Sequence, residues 1–177
     1  MWAAALAAVS AAPCSALDAA AIAARNGPAV LLIVAAEADG TIVQGSGCVV
    51  DAAAGLALTT AHQVRHVDAV RGLTQDGAEF RFEVVEIDGA ADLAVLRSAE
   101  ALPAAAAMAP DVRTDAGAEV VALSSPLGIA FSTHIGHVTN TRYERRGVEV
   151  LLTDLPLTNG SSGGPVFDAR GVLIGLV

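Results

Sequence analysis

Lysine is absent from this sequence of 177 residues, and all ten basic residues are arginines. Nineteen acidic residues leave a formal net charge of −9, so no basic face is available for a phosphate backbone and nucleic acid is not an expected partner. Aromatics are scarce at 3%, although the hydrophobic fraction is 54%. The core must therefore be made from Ala, Val, Leu and Ile, which suit many short strands better than a large helix bundle. Only two cysteines occur. Cys14 falls in an apolar N-terminal stretch and Cys48 in a β-like run, which argues against a disulfide between them. Pro13 directly before Cys14 fits a lipidation motif poorly, and Cys48 reads as a small buried hydrophobe. No apolar run is long enough for a stable membrane span. The stretch MWAAALAAVSAAPCSA (1–16) instead resembles the apolar region and small-residue cleavage zone of an export signal, without Arg or Lys at its start. Residues 1–16 are thus expected to be a signal peptide, and the protein to be periplasmic or secreted.

What is present after that stretch is mostly strand. Residues 15–26 predict one short helix, with Ser15 and Asp18 spaced as a capping box and Asn26-Gly27-Pro28 as the stop. Beyond it the helical period vanishes. Short apolar or alternating runs follow at 29–35, 41–51, 56–61, 80–88, 92–97, 119–124, 131–141, 148–154, 165–168 and 172–177, separated by Asp-Gly, Asn-Gly and Pro-bearing turns. Many short strands with such turns imply a sandwich or barrel. The stretch 101–117 has no strand pattern and reads as a connector between two β halves.

Three segments place a reactive residue at a strand end or turn. In Leu58-Thr59-Thr60-Ala61-His62 an apolar strand delivers an imidazole at its end. In Ala91-Asp92-Leu93-Ala94-Val95-Leu96 a carboxylate opens a strand of buried character. Asp88, four residues earlier and followed by Gly89, reads more naturally as a turn residue. The most specific segment is Thr158-Asn159-Gly160-Ser161-Ser162-Gly163-Gly164-Pro165. Its glycines permit a tight, irregular backbone, and such a loop can aim the N–H groups of Gly160 and Ser162 at one point, as an oxyanion hole requires. A serine hydroxyl needs an adjacent base to act as a nucleophile at neutral pH. His62 would serve as that base toward Ser162, with Asp92 holding the imidazole tautomer. The chain order His, Asp, Ser is that of the chymotrypsin-like arrangement rather than of subtilisins or α/β-hydrolases.

TTAH around His62, ADLAVL around Asp92 and GSSGGP around Ser162 resemble the three catalytic blocks of trypsin-like serine proteases of the HtrA/DegP type. GPAVLLI (27–33), GSGCVV (45–50) and SSPLG (124–128) extend the resemblance over roughly residues 16–177. It implies an all-β fold of two packed six-stranded antiparallel β-barrels within residues 17–177, the first over about 27–100 and the second over about 115–177, with the triad between them. It also implies a serine endopeptidase acting on polypeptide through an acyl-enzyme, without cofactor, and HtrA-like proteases often trimerise. Ser161 stands where that pattern has Asn, or Asp in digestive trypsins, so activation by a buried ion pair with a new N-terminus is not expected. No PDZ domain, as HtrA proteins carry, is expected within these 177 residues. Val177 lies fifteen residues past Ser162, so the second barrel is expected to be incomplete, either because the sequence is truncated or because the protease is crippled.

Two other functions fit the same residues. One is a non-catalytic trypsin-like domain that binds peptides or a partner strand along an open barrel edge. The other is a serine esterase with a small acyl substrate. No metal site is expected. His134 and His137, three apart, fall on opposite faces of a strand, and His66, one helical turn past His62, lacks a third ligand.

Overall fold

The computed structural model describes residues 17–37, 39–67, 69–110, 112–126 and 131–177. The expected signal segment, 1–16, lies outside the described residues, as does Ser15 of the expected capping box. Helix α1 (Ala19–Asn26) is capped three residues later than the sequence suggested. Asp18 is itself the N-cap, its carboxylate accepting a hydrogen bond from the Ala21 N–H at 2.9 Å. A short carboxylate satisfies one of the orphan N–H groups of a first turn directly, without a serine partner.

A 3₁₀ turn (Gly27–Ala29) leads into a closed antiparallel barrel of β1 (Val30–Ala36), β2 (Ile42–Asp51), β3 (Leu56–Thr60), β4 (Ala69–Leu73), β5 (Glu79–Asp88) and β6 (Leu93–Ser98). Around the barrel the order is β1-β2-β3-β6-β5-β4, and pairing of Leu32 with Leu73 through Ala36 with Ala69 closes it. Closure removes every free edge. Strand β4 has no counterpart among the sequence expectations. Its five residues, AVRGL, carry Arg71 and Gly72 in the middle, so no apolar run or clean alternation marks it. Between β3 and β4 lies a single helical turn, α2 (Ala61–Val64).

The second half is a curled five-stranded sheet of β7 (Glu119–Ser124), β8 (Ser132–Arg145), β9 (Val148–Thr153), β10 (Pro165–Phe167) and β11 (Leu173–Leu176), in the order β11-β10-β7-β8-β9. Strands β8 and β9 join through Arg146 and Gly147, both at positive φ (53° and 78°) between the paired Arg145 and Val148. Two positive-φ residues make a turn whose twist matches that of the flanking strands. The expected all-β double barrel, complete in its first half and partial in its second, is the architecture found.

The main core fills the first barrel and continues under the second sheet, running from Leu31, Ile33, Val49 and Leu96 to Val121 and Phe167. A smaller cluster of Val120, Ala122, Val138, Leu155 and Val166 occupies the far side of the second sheet. The connector has no strand of its own but is ordered by its backbone. Leu102 N–H and Ala106 N–H donate to Ala52 and Val49 of the first barrel at 2.8 and 2.9 Å, and Ala107 C=O accepts from Leu173 at 2.9 Å. Among the described residues, no helix is long and apolar enough to cross a membrane.

Candidate active site

Antiparallel pairing brings two of the singled-out residues to one end of the first barrel. Thr60 of β3 sits opposite Leu93 of β6, so the chain leaving β3 and the chain entering β6 meet. His62, two residues past Thr60, lies in α2, and Asp92 directly precedes β6. Asp92 adopts φ 55°, a left-handed conformation unusual for a residue with a side chain, although Asp tolerates it better than most. Three hydrogen bonds hold it there. Its C=O accepts from Ala61 N–H at 2.9 Å, its Oδ1 from His62 N–H at 2.9 Å, and its Oδ2 faces His62 Nδ1 at 2.7 Å. The backbone cost, of order 1–3 kcal/mol for such conformations, is spent on aiming the carboxylate along the imidazole edge.

This contact also assigns the imidazole. With Nδ1 directed at a carboxylate, Nδ1 carries the proton and Nε2 is left as the acceptor. Arg65 Nη2 approaches Asp92 Oδ1 at 3.5 Å. Burial pushes the Asp92 carboxyl upward, but hydrogen bonds from the His62 side chain and amide, with attraction from His62 and Arg65, outweigh it and hold the group below its ordinary value. Asp88 does what a turn residue does, its Oδ1 accepting from Ala90 N–H at 2.8 Å and Ala91 N–H at 3.0 Å.

Ser162 comes from the other half, in the loop between β9 and β10. Ser161 N–H donates to Thr158 C=O at 3.0 Å, and Gly164 N–H to Ser161 C=O at 2.9 Å, folding two consecutive tight turns around it. Gly163 is at φ 81°, and a Cβ there would lie 2.1 Å from the carbonyl oxygen of Ser46. A glycine is therefore required for the loop to touch the first barrel at all. Ser161 is fully buried, its hydroxyl near Ser124 Oγ at 3.3 Å and accepting from Thr158 N–H at 3.4 Å. Among the described residues, the N–H groups of Gly160 and Ser162 have no hydrogen-bond acceptor, and the Ser162 hydroxyl makes no hydrogen bond to the imidazole.

Residues that sequence reasoning did not single out fasten the loop to the first barrel. Ser46 of β2 donates its N–H to Ser162 C=O at 2.8 Å and its hydroxyl to Gly160 C=O at 2.9 Å, while its Oγ accepts from Ser125 N–H at 2.8 Å. Thr59 Oγ1 donates to Ser46 C=O at 2.7 Å. Gln63, next to His62, donates to the same Ser162 carbonyl at 2.9 Å. Ser46, Thr59 and Gln63 lie in three separate elements, and no local sequence signal marks them.

Against known proteins, the family model described as a trypsin-like peptidase domain matches residues 45–176. The chain belongs to the trypsin-like peptidases. Among curated trypsin-like relatives, the "Probable periplasmic serine endoprotease DegP-like" of Halomonas elongata is 33% identical over 136 residues, covering 75% of this chain and 28% of that protein. "Serine protease HTRA2, mitochondrial" of Drosophila grimshawi is 31% identical over 145 residues, covering 77% of this chain and 34% of that one. The chain thus spans about a third or less of the length of these two relatives. A solved structure, the HtrA-type protease AlgW with tripeptide, superimposes with a TM-score of 0.82 at 27% identity, over 90% of this chain and 53% of that one. The HtrA/DegP-like resemblance drawn from the three sequence blocks agrees with these matches. His137 pairs with Asp154, Nδ1 to Oδ2 at 3.4 Å, and among the described residues no group of three His, Cys, Asp or Glu side chains is arranged to hold a metal.

Proposed function

We propose that this domain is a serine endopeptidase in which Ser162 is the nucleophile, His62 the general base and Asp92 the group that orients it. The observation that carries the reading is the His62–Asp92 pair, which leaves Nε2 free as an acceptor at the junction where the Ser162 loop is docked. In the proposed reaction Ser162 Oγ attacks the scissile carbonyl and His62 Nε2 takes its proton. The oxyanion is held by the otherwise unengaged N–H groups of Gly160 and Ser162. Collapse breaks the C–N bond, the imidazolium gives its proton to the leaving amine, and water then hydrolyses the acyl-enzyme by the same proton path. In this reading the Ser162–His62 hydrogen bond forms when substrate is bound, since catalytic contacts can be long or absent in the free enzyme.

The substrate class is polypeptide, in keeping with the serine proteases the chain resembles. The periplasm or the exterior is the proposed location, by likeness to the DegP-like relative and by the character of residues 1–16. Cell fractionation with detection of N-terminal cleavage checks it. The mechanism is tested with a fluorophosphonate probe and casein. Wild type is expected to label and to turn casein over, and Ser162→Ala to do neither. Equal labelling of Ser162→Ala overturns the nucleophile. Peptide binding without turnover in the wild type replaces the enzyme with the non-catalytic binding reading.

A further inference from the structure

His62 and Ser162 sit on different halves of the molecule, so their separation depends on how the halves are docked. Gln63 belongs to the same helical turn as His62 but points the other way: His62 is exposed, whereas Gln63 is 3% exposed. The Gln63 amide lies between the halves. Its Nε2 donates to Ser162 C=O at 2.9 Å, and its Oε1 lies 3.1 Å from Thr59 Oγ1, whose single proton is shared with the nearer Ser46 C=O. The reverse amide orientation would set an oxygen against the Ser162 carbonyl, so the bonding network assigns this one. Ser162 C=O therefore has both lone pairs engaged by the first barrel, one by Ser46 N–H at 2.8 Å and one by Gln63. Space for the amide comes from Gly45 of β2, where a Cβ would lie 2.0 Å from Gln63 Nε2.

We propose that Gln63 is a positioning residue for the reaction at Ser162, gripping the nucleophile's carbonyl from the turn that carries the base and so setting the distance between them. This rests on the endopeptidase reading above. A carbonyl with one donor can rock about it, whereas two donors at different positions fix the peptide plane and with it the direction of the Ser162 Cα–Cβ bond. Near-attack geometry tolerates little error. A misplacement of about 1 Å can cost roughly 100-fold in rate, and loss of one of two tethers gives part of that.

Replacement of Gln63 by the similarly shaped Met leaves no buried group orphaned, because Ser162 C=O keeps Ser46 N–H and Thr59 keeps Ser46 C=O. The test follows inactivation by a fluorophosphonate, in which the Oγ–P bond forms and fluoride leaves. For Gln63→Met the maximal inactivation rate is expected to fall about tenfold, with probe affinity and melting temperature nearly unchanged. Gln63→Glu supplies a second readout. Its protonated carboxyl donates to Ser162 C=O, and its ionised form cannot. The rate relative to wild type should therefore fall as pH rises, whereas a pure packing role gives a ratio independent of pH. Labelling of the wild type together with unchanged Gln63→Met inactivation, or with a flat Gln63→Glu ratio, overturns the positioning role alone. An unlabelled wild type overturns the nucleophile and this role with it.

Discussion

The first barrel holds its part of the site by itself; the second half does not. His62 and Asp92 are fixed by three hydrogen bonds within one closed barrel whose strands have no free edge. Ser162 sits in a loop attached to an open sheet, and much of what fixes its carbonyls belongs to the other half, through Ser46 and Gln63. The proposed base, His62, is positioned by topology and the proposed nucleophile, Ser162, by docking. A disturbance in the first barrel should therefore change chemistry without moving the halves, whereas a disturbance at the seam should change both.

The largest effect tests the self-supporting half. Asp92→Asn keeps the shape but not the charge, and its amide favours the wrong imidazole tautomer. Proteolytic kcat is expected to drop by roughly 10³–10⁴-fold, with near-native far-UV circular dichroism. Next comes the seam. Gly163→Ala forces a Cβ against Ser46 C=O and Thr59 Oγ1, at 2.1 and 2.6 Å before relaxation. Casein turnover should fall at least about 100-fold, and hydrogen exchange should rise in residues 158–164 while the amides of β1–β6 stay protected. Equal exchange in both halves breaks the comparison. A milder seam variant, Ser46→Ala, removes the hydroxyl that donates to Gly160 C=O and accepts from Ser125 N–H. It should cost about 1–3 kcal/mol in urea unfolding and about tenfold in turnover.

The smallest effect is in pH. The folded Asp92 carboxyl is held below its ordinary value, so the folded state binds its proton less readily than the unfolded chain does. The associated stability is present above the usual carboxylate pKa of about 3.9 and is lost as pH falls through the lower folded value. The Asp92 side chain is 41% exposed, so solvent screens the pair and the contribution should stay under about 1 kcal/mol. The melting-temperature gap between wild type and Asp92→Asn should narrow below pH ~4. A gap that widens there reverses the sign of the linkage.

Legibility in the sequence followed the same division. Strands with alternation or an apolar run, such as β1 and β5, were readable because one face is buried and the period is two. Strand β4 was not, because its place depends on β1 and β5 on either side rather than on its own five residues. At the site, residues with reactive side chains next to turns drew attention to His62, Asp92 and Ser162, and Asp88 was separable by its following glycine. Ser46, Thr59 and Gln63 were not readable, because their roles are bonds to carbonyls 13 to 114 positions away and nothing local records such a partner. Burial sets the character of Cys48 likewise. Its thiol is pushed up to about 12 by desolvation, which the sequence anticipated only as a small hydrophobe.

Helix α1 lies just before β1, yet it is fastened to the turn between β10 and β11, far along the chain. Arg25 donates to Arg170 C=O, and Asn26 Nδ2 lies 3.4 Å from Gly171 C=O, across 145 positions of chain in each case. During synthesis the six strands of the first barrel leave the ribosome by Ser98, long before the β10–β11 turn exists. The barrel can close on schedule while the helix waits with its receptor unmade. Docking of α1 onto the β10–β11 turn is then expected to be a late event with a high loop-closure cost.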